Sequence, residues 1–243
     1  MLREEAGLAL MLLTRVPAAW LAGPAPVSPA RAVWAFPLVG AAIGAAGALV
    51  LALCQRAGMP PLLAACWTWA ATMVLTGALH EDGLADLADG FGGGRDAARK
   101  LEIMRDSRIG SYGALALVLS TAVRVAAIAS LDGRAGPALI AAGALSRGSM
   151  AVPLLLLAPA RPEGQGAAMR DGGARRWIAC GLSVRVAVLS VKHGGAAAVA
   201  ALMAGLAMTA LARCQIGGFT GDVLGGCAVV SECAALTLLA CVS

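Results

Sequence analysis

Seven stretches of this 243-residue chain run for 15 to 24 residues with at most one charge each. They are Val33 to Leu53, Pro60 to Leu79, Gly113 to Leu131, Ala135 to Ala158, Trp177 to Val191, Gly195 to Ala212 and Val223 to Val242. A bilayer's hydrocarbon core is about 30 Å thick, which takes about 20 helical residues at 1.5 Å each. Such runs fit transmembrane helices, because a spanning segment must satisfy its own backbone hydrogen bonds. Charged residues make up only 14% of the chain, against about a quarter in soluble domains. The predicted fold is all-α: a polytopic transmembrane bundle of about six or seven spans, the fifth run being shortest and holding Arg185. Residues 1–243 read as one integral membrane domain with loops near 80–112 and 159–176.

Orientation follows the distribution of Lys and Arg. Arg95, Arg99, Lys100, Arg105 and Arg108 follow the second run, and Arg161, Arg170, Arg175 and Arg176 follow the fourth. The opposite connections hold only Arg56, Arg134 and Lys192. This bias predicts that the N-terminus and both basic loops are cytoplasmic. The net charge of +5 then needs no nucleic-acid partner, and none is expected. Ala6 to Leu21 is interrupted by Arg15 and Pro17, so it reads as an interfacial or re-entrant helix rather than a cleavable signal peptide. Seven cysteines without a Cys-x-x-Cys spacing read as small buried hydrophobes. Gly40-x-x-x-Gly44 reads as a close helix contact.

Against this apolar background, Asp82, Asp86 and Asp89 stand at i, i+4 and i+7, within roughly 60° of one helical face. One or two carboxylates at a helix end would be ordinary solvation. Three on one face repel one another, and a hard divalent cation, Mg²⁺ or Mn²⁺, is their natural partner. Glu81 projects about 100° from Asp82 and reads as a bystander. Glu102 and Asp106, interleaved with Arg99, Arg105 and Arg108, read alone as surface pairs. Joined to Gly110-Ser-Tyr-Gly113 at the start of a span, they look like a phosphate grip. Arg147, beside Ser146, lies within a run and needs a partner there, an aspartate or a substrate phosphate; Arg124 raises the same question, with snorkelling to the interface as the alternative. Gly217 to Asp222 opens the last run with glycines suited to an anion, and Arg161 to Gly166 is a flexible loop or lid. His80 stands beside the aspartate face as a candidate base.

These residues resemble the cobalamin synthase family, the adenosylcobinamide-GDP ribazoletransferases. The resemblance is carried in order by Thr14-Arg-Val-Pro17, Phe36-Pro-Leu-Val-Gly40, Asp82-Gly-Leu-Ala-Asp86 with Asp89-Gly90, Leu101 to Gly110, Ser146-Arg-Gly148, Glu163-Gly164, Gly217-Gly218 and Thr220-Gly-Asp222. It implies a Mg²⁺-dependent membrane transferase that joins adenosylcobinamide-GDP to α-ribazole, or its 5′-phosphate, and releases GMP. It also implies a bacterial inner-membrane location with the site facing the cytoplasm. On that reading Asp82, Asp86 and Asp89 hold the metal, and Asp106 and His80 join them as catalytic candidates. Arg105, Arg108, Arg147, Ser146, Glu163, Thr220 and Asp222 bind substrate. Glu81 stands where the family generally has an apolar residue, and Ala78 where glycine is usual. Val229 stands where an acidic residue is frequent.

Two other readings compete. Asp86-x-x-Asp89-Gly90 is similar to the opening motif of CDP-alcohol phosphatidyltransferases, but the Ala-Arg continuation and the later paired aspartates are missing. An ion-coupled transporter would keep its charges near the midplane, whereas here they gather at one face. A homo-oligomer is left open.

Overall fold

The computed structural model describes residues 1–21 and 27–242. Among them the chain is helical, and the sole extended pairing is one isolated bridge, Pro159 to Phe219. A short amphipathic helix, α1 (Leu2–Leu13), comes first, and α2 (Pro29–Ala32) leads through a 3₁₀ turn into α3 (Phe36–Arg56). Pro61 starts α4 (Pro61–Thr76), where its missing N–H costs nothing. Next come α5 (Leu79–Gly93), α6 (Ala97–Ile103) and α7 (Ser111–Ser130). The chain continues as α8 (Ala135–Ser149), α9 (Ala151–Leu156), the single turn α10 (Gln165–Ala168) and α11 (Arg175–Ser190). It closes with α12 (Gly194–Ile216) and α13 (Gly221–Cys241).

Among the described residues, five units are long and apolar enough to cross a membrane: Pro29–Arg56, Ser111–Ser130, Asp132–Leu156, Gly194–Ile216 and Gly221–Cys241. A sixth results if α4 and α5, bent by 90°, form one broken span. The fifth apolar run of the sequence becomes α11, whose 16 residues reach only about 24 Å, so it is not among these units. The bend follows from two consecutive left-handed residues, Gly77 at φ +67° and Ala78 at φ +56°. Gly77 adopts that conformation at little cost, whereas Ala78 is strained by its Cβ.

Helix α8 is the enclosed centre of the bundle, and α3 lies closest to it. A Cβ at Gly40 would collide with the carbonyl of Gly143, and one at Gly44 with that of Leu139. Small residues therefore set this crossing, as Gly40-x-x-x-Gly44 predicts. The cysteines differ from expectation: Cys54 and Cys227 are buried, but Cys66, Cys214 and Cys241 are exposed on the protein's surface. All seven are free thiols.

Candidate active site

The bend between α4 and α5 aims the aspartate helix across the bundle, where its first turns meet the start of α13. The contact is close because Gly83 has no side chain: a Cβ there would stand 3.1 Å from the Asp222 Cα. Thr220 caps α13, its hydroxyl accepting from the Val223 N–H at 3.3 Å and donating to the Asp222 carboxylate at 3.1 Å. Two backbone hydrogen bonds, Ala160 N–H to the Phe219 carbonyl (2.8 Å) and Phe219 N–H to the Ala158 carbonyl (3.0 Å), fasten the loop after α9 to the same end. That tether sets Arg161 beside the carboxylates of Asp222 and Asp86. Partial burial lowers the Arg161 pKa, and nearby Arg105 lowers it further, against the pull of Asp222 and Asp86. Two guanidinium groups thus confront the acidic cluster.

Asp82 borders three cavities. The largest, ≈ 690 Å³, is also walled by Asp86, Arg15, Arg105, Asp106 and Arg108. A second, ≈ 270 Å³, is shared with Arg161, Glu163, Thr220 and Asp222. The third, ≈ 80 Å³, lies toward the core with His80, Met169 and Asp222 in its wall. A separate groove of ≈ 220 Å³ between α8, α11 and α12 has no charged residue in its lining.

The three aspartates of the helical face do not act alike. Asp89 is turned to the start of α7, where its oxygens accept the N–H groups of Gly110 (2.7 Å) and Gly113 (2.9 Å). The N-cap of α7 is Gly110, which has no side chain to satisfy the first-turn amides, so a carboxylate from α5 does it instead. Asp82 and Asp86 remain facing the large cavity. The charges acting on Asp86 are the carboxylates of Asp82, Asp222 and Asp89 and the guanidinium of Arg161.

No three His, Cys, Asp or Glu side chains among the described residues converge closely enough to form a metal cage. The expected triple Asp82, Asp86 and Asp89 is therefore not assembled, because Asp89 serves the backbone of α7. The pair Asp82 and Asp86 does fit a hard divalent ion. Mg²⁺ is commonly held by one or two carboxylates, with water and substrate phosphate completing its shell.

Several other expected residues have partners of their own. Ser146 is fully buried and donates to the Ala228 carbonyl at 2.7 Å. Arg147 is buried beside it, donating to Ser146 Oγ at 3.1 Å and facing Glu232 at 3.4 Å. Neither lines the cavities at Asp82, so they join helices rather than grip phosphate. Arg108 is engaged by Asp106 at 2.6 Å, and its side-chain and backbone hydrogen bonds bring the Asp106 pKa down to about 2. His80 is buried, and neither ring nitrogen has a hydrogen-bond partner. It faces the small inner cavity rather than the two larger ones. Glu102 makes the expected exposed pair, with Arg99 at 2.7 Å.

Three features escaped the sequence reading. Glu81 is no bystander: it is buried and accepts from Arg124 at 2.8 Å. Arg124 also faces Glu232 at 3.4 Å and stacks 3.9 Å over the Trp69 ring. Arg15, which only interrupted an apolar segment, lines the large cavity, and the motif Thr14-Arg-Val-Pro17 was its one available signal. Arg161 likewise enters the site from a segment that read as a linker or lid.

Comparison with known proteins supplies the context. The family model described as cobalamin-5-phosphate synthase matches residues 5–240. An adenosylcobinamide-GDP ribazoletransferase of Bradyrhizobium diazoefficiens is 47% identical over 205 residues, covering 81% of this chain and 77% of the relative. That of Azorhizobium caulinodans is 44% identical over 246 residues, covering 96% and 93%. That of Mesorhizobium japonicum is 44% identical over 211 residues, covering 85% and 82%. No solved structure matches.

Proposed function

The chain belongs to the cobalamin-5-phosphate synthase family, and from that premise we propose that the cavities around Asp82 are its active site. The family's reaction is the nucleotide-loop assembly step of vitamin B12 biosynthesis, and the protein is a multi-pass membrane transferase. Its substrates are adenosylcobinamide-GDP and α-ribazole or its 5′-phosphate. A ribose hydroxyl of the acceptor attacks the phosphorus attached to cobinamide, the new oxygen–phosphorus bond forms, and the bond to GMP breaks.

One observation carries the site assignment: Asp82 and Asp86, one turn apart on α5, share the wall of a large cavity with Arg15 and Arg105. Carboxylates and guanidinium groups facing one space suit a diphosphate and its counterion. Asp82 and Asp86 would hold Mg²⁺, which when bound supplies positive charge against the phosphate oxygens. Arg105 and Arg15 orient the diphosphate through charge-assisted hydrogen bonds. Asp222, at the capped start of α13, lies on the acceptor's side and takes the hydroxyl proton. Arg161 balances the charge left there. The Lys and Arg distribution supports a cytoplasmic face for this end, in the inner membrane of a bacterium.

The test is direct. Membranes carrying the protein are incubated with adenosylcobinamide-GDP, α-ribazole and Mg²⁺, and GMP and cobalamin are measured together. Equal formation of both, lost on chelation of the metal, is expected; product formation unaffected by chelation would remove the metal from the proposal.

A further inference from the structure

Two of the cavities meet at Asp82 and Leu79, and they differ in size and in chemistry. The larger, ≈ 690 Å³, has the guanidinium groups of Arg15 and Arg105 in its wall, with Arg108 held by Asp106 and the carboxylates of Glu81, Asp82 and Asp86 beside them. The smaller, ≈ 270 Å³, has one, Arg161, together with the acceptor oxygens of Glu163 and Asp222 and the hydroxyl of Thr220. The two reactants differ in the same sense. One carries a diphosphate and a guanine nucleotide; the other is a ribonucleoside with donor hydroxyls and at most one phosphate.

We infer that the two cavities are separate substrate pockets divided by Asp82. The larger takes the guanosine diphosphate part of the activated substrate, and the smaller takes the ribonucleoside acceptor. This assignment rests on the reaction proposed above and adds to it where each reactant binds. In an in-line displacement the attacking and leaving oxygens stand on opposite sides of the phosphorus. With the phosphorus at the divide, the acceptor hydroxyl approaches from the small pocket and the GMP oxygen departs into the large one. The hydroxyl proton passes to Asp222 on the side it came from. The corrinoid, the third substituent on the phosphorus, extends out of the cleft instead of filling either pocket.

Several features of the smaller pocket favour a nucleoside. Glu163 and Asp222 accept hydrogen bonds from ribose hydroxyls. The first turn of the 21-residue helix α13 and the Arg161 guanidinium face the same space and suit a 5′-phosphate when one is present. One Arg161 Nη donates to the Leu101 carbonyl at 2.6 Å, which holds the guanidinium in the wall of this pocket.

Steady-state kinetics of Glu163→Gln, Arg161→Gln and Arg15→Gln separates the pockets. Glu163 is exposed, so its substitution does not disturb the core. Glu163→Gln is expected to raise KM for α-ribazole and its 5′-phosphate alike, and Arg161→Gln to raise it more for the phosphorylated form, by about tenfold, as for a lost charge-assisted bond. Both should leave KM for adenosylcobinamide-GDP within about twofold, a change too small to count as a lost contact. Arg15→Gln should do the reverse. Binding of GMP alone, measured by calorimetry, should weaken in Arg15→Gln and stay at the wild-type value in Glu163→Gln. The division is overturned if the Glu163 variant weakens GMP binding, or if each variant raises both KM values equally. Absence of turnover in the wild-type protein would instead count against the underlying reaction, while GMP binding would still report on the pockets.

Discussion

The guanidinium of Arg124 lies 2.8 Å from Glu81 and 3.9 Å above the indole of Trp69, joining α7, α5 and α4 inside the bundle. Both charges are buried, Arg124 completely. Removing one partner leaves the other charged and without compensation at membrane depth, a loss of about 3 to 5 kcal/mol. Arg124→Leu should therefore lower thermal stability sharply, and Glu81→Leu with Arg124→Leu should recover much of it. Melting of the purified single and double variants in detergent decides; equal melting of the single variant and the wild type would show that the pair does not hold α5.

Asp89 and Asp82 share a helical face but should fail differently when changed. Asp89→Asn replaces one of two acceptor oxygens with a donor opposite the amides of Gly110 and Gly113. It should cost about 1 to 3 kcal/mol of stability through an unsatisfied buried group. Asp82→Asn should leave the melting temperature near wild type. Thermal melts of the two variants side by side check this, and an unchanged Asp89→Asn protein would contradict the capping role.

Ala78 holds a left-handed conformation at the bend, φ +56°. Glycine removes the Cβ strain of about 1 to 2 kcal/mol at the cost of about 0.5 to 1 kcal/mol in chain entropy. Ala78→Gly should stabilise by up to about 1.5 kcal/mol. The shift is read as a higher melting temperature, and a fall would mean that the Ala78 methyl makes a contact worth more than the strain.

Much of the fold was legible because apolar length is a local property of the chain. The runs at Val33 to Leu53, Gly195 to Ala212 and Val223 to Val242 reappear, to within one residue, in the spans that contain α3, α12 and α13. The bend was not legible, since alanine carries no turn signal and the left-handed conformation of Ala78 beside Gly77 has no mark in its residue type. Helical periodicity puts Asp82 and Asp86 on one face, and both line the same cavity. It failed for Asp89 and Glu81 because a helix wheel gives the direction of a side chain and not what waits there. Gly110 and Gly113 lie more than 20 residues from Asp89, and Arg124 lies 43 from Glu81. Arg161 and Asp222 meet through the backbone pairing at Phe219, a contact no spacing rule anticipates.

Glu5 gives the N-terminal helix a pH dependence. Burial alone would raise its pKa, but hydrogen bonds from Arg175, Trp34 and Arg31 outweigh burial and hold it below the usual 4.5. A lowered folded-state pKa means that the stability Glu5 contributes is present above the unfolded value and is lost as pH falls through the folded one. The difference in melting temperature between wild type and Glu5→Gln should be full at neutral pH and shrink once pH drops below about 4.5. A gap that grows with acid would reverse the sign and contradict the assignment.

The central claim is that Asp82 and Asp86 form the reacting centre. Its most direct test is GMP release from adenosylcobinamide-GDP by membranes containing equal amounts of wild type, Asp82→Asn or Asp86→Asn protein, with α-ribazole and Mg²⁺ supplied. Loss of release in both variants, with insertion and melting unchanged, is the expected result. Wild-type release by both variants would contradict it.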